Sequence, residues 1–548
     1  MSEHTPPPTE IDPLLREVQS AVQAQQLARA IELASSGLDA GLLHPLLLHL
    51  RAHRLSDEGR YDAALQDLEQ ARVLAPEDPR IANGMGECLV KAERFAEAVS
   101  AFDQALAIWP EFPLAHQNRG FALETLGEHK LAEESYRRAA SLDPGFADPL
   151  ARLAGLAAGR GDWRLARTFA TRALTIDPAN AVAHYAAAKA DLAEGATKTA
   201  ERRLRAVADD PAKDPLERAS ATKQLGDALD AQGRIEDAFT AYRSANDQFR
   251  RFFEPRMAAK GLEGTPALIG RVTAYVEALP AAAARSSDIS PTLGNAAGLV
   301  FLAGFPRSGT TLLGQILAAH PGVVTLEERF PIVNADRDFL RATAGLERLS
   351  QASETELQPY RDSYWKYVQG FGVHVRGKVI VDKLPMHTFR LPLIAKLFPE
   401  AKILFAIRDP RDVVLSAFRR SFVIHAFTFE LLDLESAARL YDSMMRLREL
   451  CRAKLPLAWL DMRNEDVISD FETHVQQICH FFGLRWSASL KEFATRALTQ
   501  NIATPSSVQV RSGLSAGGVG QWRRYREQLA PILPILEPWV EKFGYSPE

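Results

Sequence analysis

Apolar residues in the first half of the chain recur with helical spacing, and whole groups of them recur every 34 residues. Four prolines follow this period: Pro76, Pro110, Pro144 and Pro178. Two columns of alanines share it: Ala64, Ala98, Ala132, Ala166 and Ala200, and Ala71, Ala105, Ala139 and Ala173. Alanine lets two helices cross closely, and proline ends the second helix. The pattern therefore predicts stacked helix–turn–helix units.

This array extends beyond the regular columns, one period back to Ala30 and onward to Ala238 after an irregular step of 38 residues. The irregular step predicts a short insertion before the last unit. We predict six or seven units over residues 15–250, preceded by a disordered segment at 1–14 and followed by a helical junction at 251–295. The period, its alanine and proline positions and the aromatic residues Tyr61, Phe95 and Trp163 resemble the tetratricopeptide repeat family. A generic antiparallel helical bundle is the alternative.

The pattern changes after residue 295, where short apolar runs alternate with helical periodicity. The runs are residues 299–303, 379–381, 403–407 and 457–460. This alternation is typical of a parallel sheet that is covered by helices on both faces. Residues 296–548 are therefore predicted to form an α/β domain.

Charge and cysteine content exclude several classes of protein. The 65 Lys and Arg residues nearly balance the 69 Asp and Glu residues, which argues against a nucleic-acid-binding protein. Three widely spaced cysteines predict neither a disulfide framework nor a metal site, and no metal is expected. The N-terminal residues lack the features of a signal peptide, and no apolar run is long enough to predict a membrane span. A cytoplasmic location is the expectation.

The first apolar run leads into a glycine-bearing turn, Gly304-Phe-Pro-Arg-Ser-Gly-Thr-Thr311, which a helical pattern follows. Such a turn offers backbone N–H groups and a helix N-terminus to an anion. The spacing is that of a Walker-type loop, but Thr310 stands where nucleoside triphosphatases have lysine. Ordinary kinase or ATPase chemistry is therefore disfavoured. The predicted anion-binding residues are Arg307, Ser308, Gly309, Thr310 and Thr311.

This loop resembles the 5′-phosphosulfate loop of sulfotransferases that use 3′-phosphoadenosine 5′-phosphosulfate (PAPS). A second element of that family is matched by a buried strand that ends in Arg408, with Ser416 eight residues further on. The resemblance implies that Arg408 and Ser416 bind the 3′-phosphate. Arg420, one turn beyond Ser416, is expected on the same helix face as a second positive charge.

Within that family, residues 296–548 most resemble the tyrosylprotein sulfotransferases and their repeat-bearing bacterial relatives. The register from the loop arginine places Glu328 on the family's catalytic base, with Glu327 beside it. A carboxylate suits this role because it accepts the proton of the acceptor hydroxyl. Lys383 matches the lysine that stabilises charge on the departing 3′,5′-phosphoadenosine (PAP).

The last matching element is Ser506, which precedes Trp522 by the family's spacing and is implied to contact the transferred sulfuryl group. Two positions depart from the family pattern. Gln521 stands where Lys or Arg is usual, and Asn464 stands where Tyr is usual. Each change removes an expected cofactor contact.

The resemblance implies an all-α tetratricopeptide solenoid followed by an α/β, P-loop-like sulfotransferase domain with a central parallel sheet. The implied reaction is metal-independent, in-line transfer from PAPS to an acceptor hydroxyl. We predict a peptide or protein acceptor, captured by the repeats and modified on tyrosine, with saccharides and small phenols left open. A phosphotransferase and a non-catalytic scaffold are the rival functions, and self-association as a homo-oligomer is the rival role of the repeats.

Overall fold

The structure is a computed structural model, which describes residues 13–259, 261, 263–280, 295–499 and 514–548. The chain divides into two compact units. The first comprises residues 1–158 and 162–187, and the second comprises residues 159–161 and 188–548. This division falls inside the predicted repeat array. The last part of the array therefore shares a unit with the predicted α/β domain.

Between residues 13 and 259 the chain forms fourteen helices, which group as seven consecutive pairs. They are α1 (Pro13–Gln23), α2 (Leu27–Asp39), α3 (Pro45–Asp57), α4 (Tyr61–Leu74), α5 (Pro79–Lys91), α6 (Phe95–Ile108), α7 (Pro113–Thr125), α8 (His129–Leu142), α9 (Ala147–Gly159), α10 (Trp163–Ile176), α11 (Ala181–Ala193), α12 (Thr197–Ala208), α13 (Pro215–Ala231) and α14 (Ile235–Ala259). The predicted all-α repeat array is confirmed. Helix α1 begins inside the segment expected to be disordered, and residues 1–12 lie outside the described residues.

The turn inside each helix pair uses the left-handed backbone region. The residues in this region are Gln25, Gly59, Glu93, Gly127, Gly161, Gly195 and Gly233. Glycine reaches these angles without steric cost, which explains why it holds most of these positions. In the last pair, Gly226 also allows close packing, because a Cβ there would lie 2.5 Å from the Tyr242 ring. Helices α13 and α14 are therefore closely packed.

A five-stranded, wholly parallel sheet lies at the centre of the second unit, in the order β2-β3-β1-β4-β5. The strands are β1 (Gly298–Ala303), β2 (Val323–Glu327), β3 (Val379–Lys383), β4 (Lys402–Ile407) and β5 (Ala458–Arg463). This confirms the predicted central sheet. Strand β2 was not among the predicted runs because Thr325 interrupts its apolar residues.

Helices cover both faces of this sheet. They are α15 (Thr265–Ala278), α16 (Thr310–Ala318), α17 (Val333–Ala335), α18 (Gly345–Gln351), α19 (Glu354–Gly370), α20 (Leu391–Leu397), α21 (Pro410–Arg419), α22 (Ala426–Glu430), α23 (Leu434–Lys454), α24 (Asn464–Ser469), α25 (Phe471–Phe482), α26 (Phe493–Thr499), α27 (Arg526–Leu529) and α28 (Leu533–Lys542). Alternate residues of β1 enter separate cores, with Phe301 in one and Leu302 in the other. Helix α15 contributes Leu268 and Val272 to the core that contains Phe301, so this part of the predicted junction packs against the sheet. No helix among the described residues is long and apolar enough to span a membrane.

The order of the strands positions the candidate site. Strand β1 lies between β3 and β4, and the chain fills one side of β1 before it crosses to the other. In open parallel sheets, ligands bind at the carboxyl ends of the strands near such a reversal of strand order. The predicted anion loop follows β1 at this point.

Candidate active site

The anion loop connects β1 directly to α16, and two of its residues lie in the left-handed backbone region. Arg307 has φ 77° and Gly309 has φ 101°. Such a conformation is strained for arginine and is typical of functional sites. At Gly309 the space also requires glycine, because a Cβ would lie 2.5 Å from Asn464 Oδ1. The loop is therefore held tightly against the start of α24.

The loop presents buried polar groups at the N-terminus of α16. Ser308, Thr310 and Thr311 are 2%, 3% and 5% exposed. Ser308 Oγ has no hydrogen-bond partner among the residues that the structure describes. A buried hydroxyl without a partner costs free energy, and an anion bound in the loop would accept its hydrogen bond. The loop therefore has the chemistry of an anion site.

Three arginines concentrate positive charge beside this loop. Arg307 Nε donates a hydrogen bond to Ser416 Oγ at 2.9 Å, and Arg408 Nη1 donates to the Arg307 carbonyl oxygen at 3.1 Å. Burial, together with the charges of Arg420 and Arg408, holds the pKa of the Arg307 guanidinium well below its usual range. An anion with several negative charges would offset this repulsion. Residues predicted from two separate motifs are thus brought together.

The expected placement of Arg420 on a helix face is wrong. Helix α21 ends at Arg419, and Arg420 has extended backbone angles of φ −86° and ψ 149°. Its guanidinium still lies near the arginine cluster, because it influences the pKa of Arg307. Arg420 Nη1 also lies 3.9 Å from Asp227 Oδ2 of α13. Its role as a cofactor ligand stays a prediction.

Lys383 lies fully buried at the end of β3 between two carboxylates. Its Nζ is 2.8 Å from Glu327 Oε2 and 2.9 Å from Glu328 Oε1. Burial alone lowers the pKa of this ammonium, but the two glutamates outweigh that effect and hold the pKa above its ordinary value. Lys383 is therefore a fixed positive charge at the carboxyl end of β3, on the same side of the sheet as the anion loop.

The two glutamates have different surroundings. Glu327 ends β2 and accepts a hydrogen bond from Gln315 Nε2 of α16 at 2.9 Å. Glu328 follows in a left-handed conformation, φ 49°, and its backbone N–H donates to the Lys383 carbonyl oxygen at 3.0 Å. The Glu328 side chain is 38% exposed and that of Glu327 is 28% exposed. Glu328 is the better placed of the two to reach an acceptor.

The remaining sequence predictions have different outcomes. Ser506 lies outside the described residues. Gln521 accepts a hydrogen bond from Arg419 Nη1 at 3.3 Å and donates to the Gly517 carbonyl oxygen at 2.6 Å. Asn464 lies against Gly309, so this departure from the family pattern directly adjoins the anion loop.

The described residues hold no cluster of acidic, His and Cys side chains suited to a metal ion, and metal independence stays a prediction.

A buried hydrogen-bond network next to Lys383 was not predicted from the sequence. Asp382 Oδ1 lies 2.9 Å from His387 Nε2, and Asp382 Oδ2 accepts a hydrogen bond from Tyr364 Oη at 3.0 Å. One residue after His387, Thr388 Oγ1 donates to the Gly304 carbonyl oxygen at 2.9 Å. This segment ties the end of β3 to the start of the anion loop. The polar pair Asp382 and His387 at the end of an apolar strand was the available signal.

Comparison with known proteins agrees with this geometry. Residues 300–488 match the model of the sulfotransferase family, and residues 49–116 and 114–146 match tetratricopeptide repeat models. An uncharacterized protein of Aquifex aeolicus is 28% identical over 257 residues, which cover 44% of this chain and 33% of that protein. The chain therefore spans about a third of the length of that relative.

Two further relatives carry named activities. Protein-tyrosine sulfotransferase A of Caenorhabditis elegans is 24% identical over 258 residues, covering 45% of this chain and 67% of that protein. The omega-hydroxy-beta-dihydromenaquinone-9 sulfotransferase Stf3 of Mycobacterium tuberculosis is 28% identical over 142 residues, covering 25% of this chain and 36% of that protein. The chain thus carries tetratricopeptide repeats followed, in its C-terminal half, by a domain of the sulfotransferase family.

Proposed function

We propose that this site transfers the sulfuryl group of PAPS to the hydroxyl group of an acceptor, and that the acceptor is a tyrosine of a peptide or protein. This proposal rests on two groups of residues that lie together at the carboxyl ends of the strands. An anion loop flanked by arginines lies beside a buried lysine that contacts a partly exposed glutamate. One group suits a nucleotide with two phosphates, and the other suits proton transfer.

The described residues fit PAPS. The loop N–H groups, Arg307 and the buried Ser308 hydroxyl would bind the 5′-phosphosulfate, and Arg408 with Ser416 would bind the 3′-phosphate. The hydrogen bond from Arg307 Nε to Ser416 Oγ supports this assignment, because it joins a residue of each proposed phosphate subsite. Thr310, at the position of the P-loop lysine, makes the site a poor one for a triphosphate.

In the proposed reaction, PAPS supplies the sulfuryl group and leaves as PAP. The acceptor oxygen forms a bond to sulfur while the bond from sulfur to the phosphate oxygen breaks. Glu328 takes the proton of the acceptor hydroxyl. Lys383, held by Glu327, and Arg307 offset the negative charge that develops on the leaving phosphate and the sulfuryl oxygens.

Calorimetric titration of the full chain with PAP, ATP and ADP tests this assignment. PAP is expected to bind most tightly, because it alone of the three carries the 3′-phosphate that the Arg408 and Ser416 subsite recognises. Tighter binding of ATP would favour a phosphotransferase. Binding of none of the three nucleotides would favour a non-catalytic scaffold.

Two observations support a polypeptide acceptor. The C. elegans relative is named a protein-tyrosine sulfotransferase. Helical repeat arrays bind peptides and proteins over extended surfaces, and a tethered surface raises the effective concentration of its ligand at a neighbouring site. The repeats would therefore lower KM for a polypeptide acceptor without acting on a small one.

A chain that begins at Pro178 tests the role of the repeats, because it removes the first ten helices and keeps α11 to α14 complete. PAP binding serves as the control for folding and is expected to persist. Activity toward a small phenol should change little, whereas kcat/KM for the cognate polypeptide should fall about tenfold or more. Equal activity of both chains toward the polypeptide would assign the repeats to self-association or to another partner.

A further inference from the structure

The carboxyl end of helix α21 is capped by two side chains from the last helix pair, α13–α14. Lys223 Nζ donates a hydrogen bond to the Phe418 carbonyl oxygen at 2.6 Å, and Asn246 Nδ2 donates to the same oxygen at 3.1 Å. Lys223 Nζ also bonds Asn246 Oδ1. The last carbonyl groups of a helix have no partner within the helix, so hydrogen-bond donors from elsewhere in the chain stabilise them. Both of these donors to the Phe418 carbonyl oxygen therefore come from helices α13 and α14.

The same helix pair fixes the residue that follows Phe418. Arg419 Nη2 donates to Asp230 Oδ2 at 2.8 Å, and Asp230 Oδ1 accepts a hydrogen bond from Tyr525 Oη at 2.7 Å. The guanidinium of Arg419 lies 5.1 Å from the ring centres of both Tyr242 and Tyr525. Its side chain is only 9% exposed. The end of α21 is thus held on several sides.

Burial makes this cap costly to lose. Lys223 and Asn246 are 2% and 0% exposed, so water does not reach either polar group freely. Removal of either one would leave the Phe418 carbonyl oxygen with a single donor and the other buried side chain without its neighbour, which is expected to loosen the last turn of α21.

The last turn of α21 and the residue after it include two predicted ligands of the 3′-phosphate. Ser416 lies within it, and Arg420 is the first residue after it, where the backbone changes from helical to extended. The direction of the Arg420 side chain therefore depends on where α21 ends. That end point is set by the contacts of Phe418 and Arg419 with helices α13 and α14.

We propose that Lys223 and Asn246 are positioning residues for the 3′-phosphate subsite, so that the last helix pair of the repeat array is a working part of the cofactor site. This inference rests on the proposed function. It assigns α13–α14 a role different from that of the preceding repeats. It also means that deletion of residues 1–250 would damage cofactor binding, because that deletion removes both side chains.

The test compares PAP with adenosine 5′-monophosphate, which lacks only the 3′-phosphate, by calorimetry on the full chain. In Asn246→Leu and in Lys223→Met, the preference for PAP over adenosine 5′-monophosphate should fall about tenfold. Asn246→Leu changes no charge, so its effect would not come from the electrostatic potential. Lys198→Met is the matched control, because Lys198 is an exposed lysine on the neighbouring helix α12 and should leave the preference unchanged.

A merely structural role would weaken both nucleotides alike and leave their ratio unchanged. In an Arg420→Ala background, the effect of Asn246→Leu on the ratio should shrink, because the cap acts through Arg420. A ratio within twofold of the unsubstituted chain in both variants would overturn the proposal. If the unsubstituted chain itself does not prefer PAP, the proposed function fails instead.

Hydrogen exchange on the unsubstituted chain gives an answer even where a variant does not fold. PAP should slow exchange in the last turn of α21 and in helices α13 and α14 together, because they share the capped carbonyl group. Slowing confined to α21, with α13 and α14 unchanged, would contradict the proposal.

Discussion

Replacing Glu328 with glutamine is expected to lower kcat by about 10²–10⁴. The amide keeps the size of the side chain and removes its capacity to accept the hydroxyl proton. PAP affinity should hold, because the proposed phosphate ligands lie on the anion loop and near α21. Steady-state kinetics with PAPS and an acceptor, together with calorimetry for PAP, separate these two effects.

Glu327→Gln is the matched control for this substitution. It removes the same charge from the neighbouring residue and weakens the contact with Lys383, which lies 2.8 Å away. We expect a smaller loss of kcat, since Glu327 positions the lysine rather than taking the proton. If Glu328→Gln retains near-normal turnover while Glu327→Gln does not, Glu327 is the base.

Arg307→Ala and Arg408→Ala are each expected to weaken PAP binding by about 1.5–3 kcal/mol, the range for a hydrogen bond to a charged group. This corresponds to a roughly 10- to 150-fold rise in Kd. Arg307 belongs to the anion loop and contacts Ser416 through a 2.9 Å hydrogen bond, and Arg408 donates a hydrogen bond to the loop. Calorimetry on each variant measures the loss.

Arg446→Ala provides the control for these two variants. Arg446 is an exposed arginine of the same unit, paired with Asp442 on helix α23, and its removal should leave PAP affinity unchanged. Circular dichroism confirms that each variant is folded before its affinity is interpreted. Unchanged PAP affinity in folded Arg307→Ala or Arg408→Ala would remove that residue from the cofactor site.

Those parts of the fold that follow from regular periods could be predicted from the sequence. The 34-residue repeat predicts the helix pairs of the array, and the four apolar runs predict four of the five strands of the parallel sheet. The candidate site was predicted from the family resemblance of its motifs, and the sheet explains why those motifs meet. Glu328 comes after β2, Lys383 ends β3 and Arg408 comes after β4, so the sheet alone brings them to one edge.

The features that escaped prediction depend on contacts between distant segments. The last turn of α21 contacts Lys223 and Asn246, which lie 195 and 172 residues from Phe418, and no local sequence pattern near Arg420 indicates these contacts. Helix α15 is a second example, because its apolar side chains pack in the same core as Phe301 of strand β1. Both features therefore depend on packing between segments that are distant in the sequence.

The most direct test of the central claim follows a sulfuryl group from PAPS to an acceptor. Full-length protein is incubated with sulfur-labelled PAPS and, separately, with tyrosine-containing peptides, a saccharide and a small phenol, and both labelled product and PAP are quantified. The proposed function predicts labelled tyrosine in stoichiometric amount with PAP, and loss of both products in Glu328→Gln. It would be contradicted if no acceptor were labelled while PAP bound normally, or if Glu328→Gln formed labelled product at the rate of the unsubstituted protein.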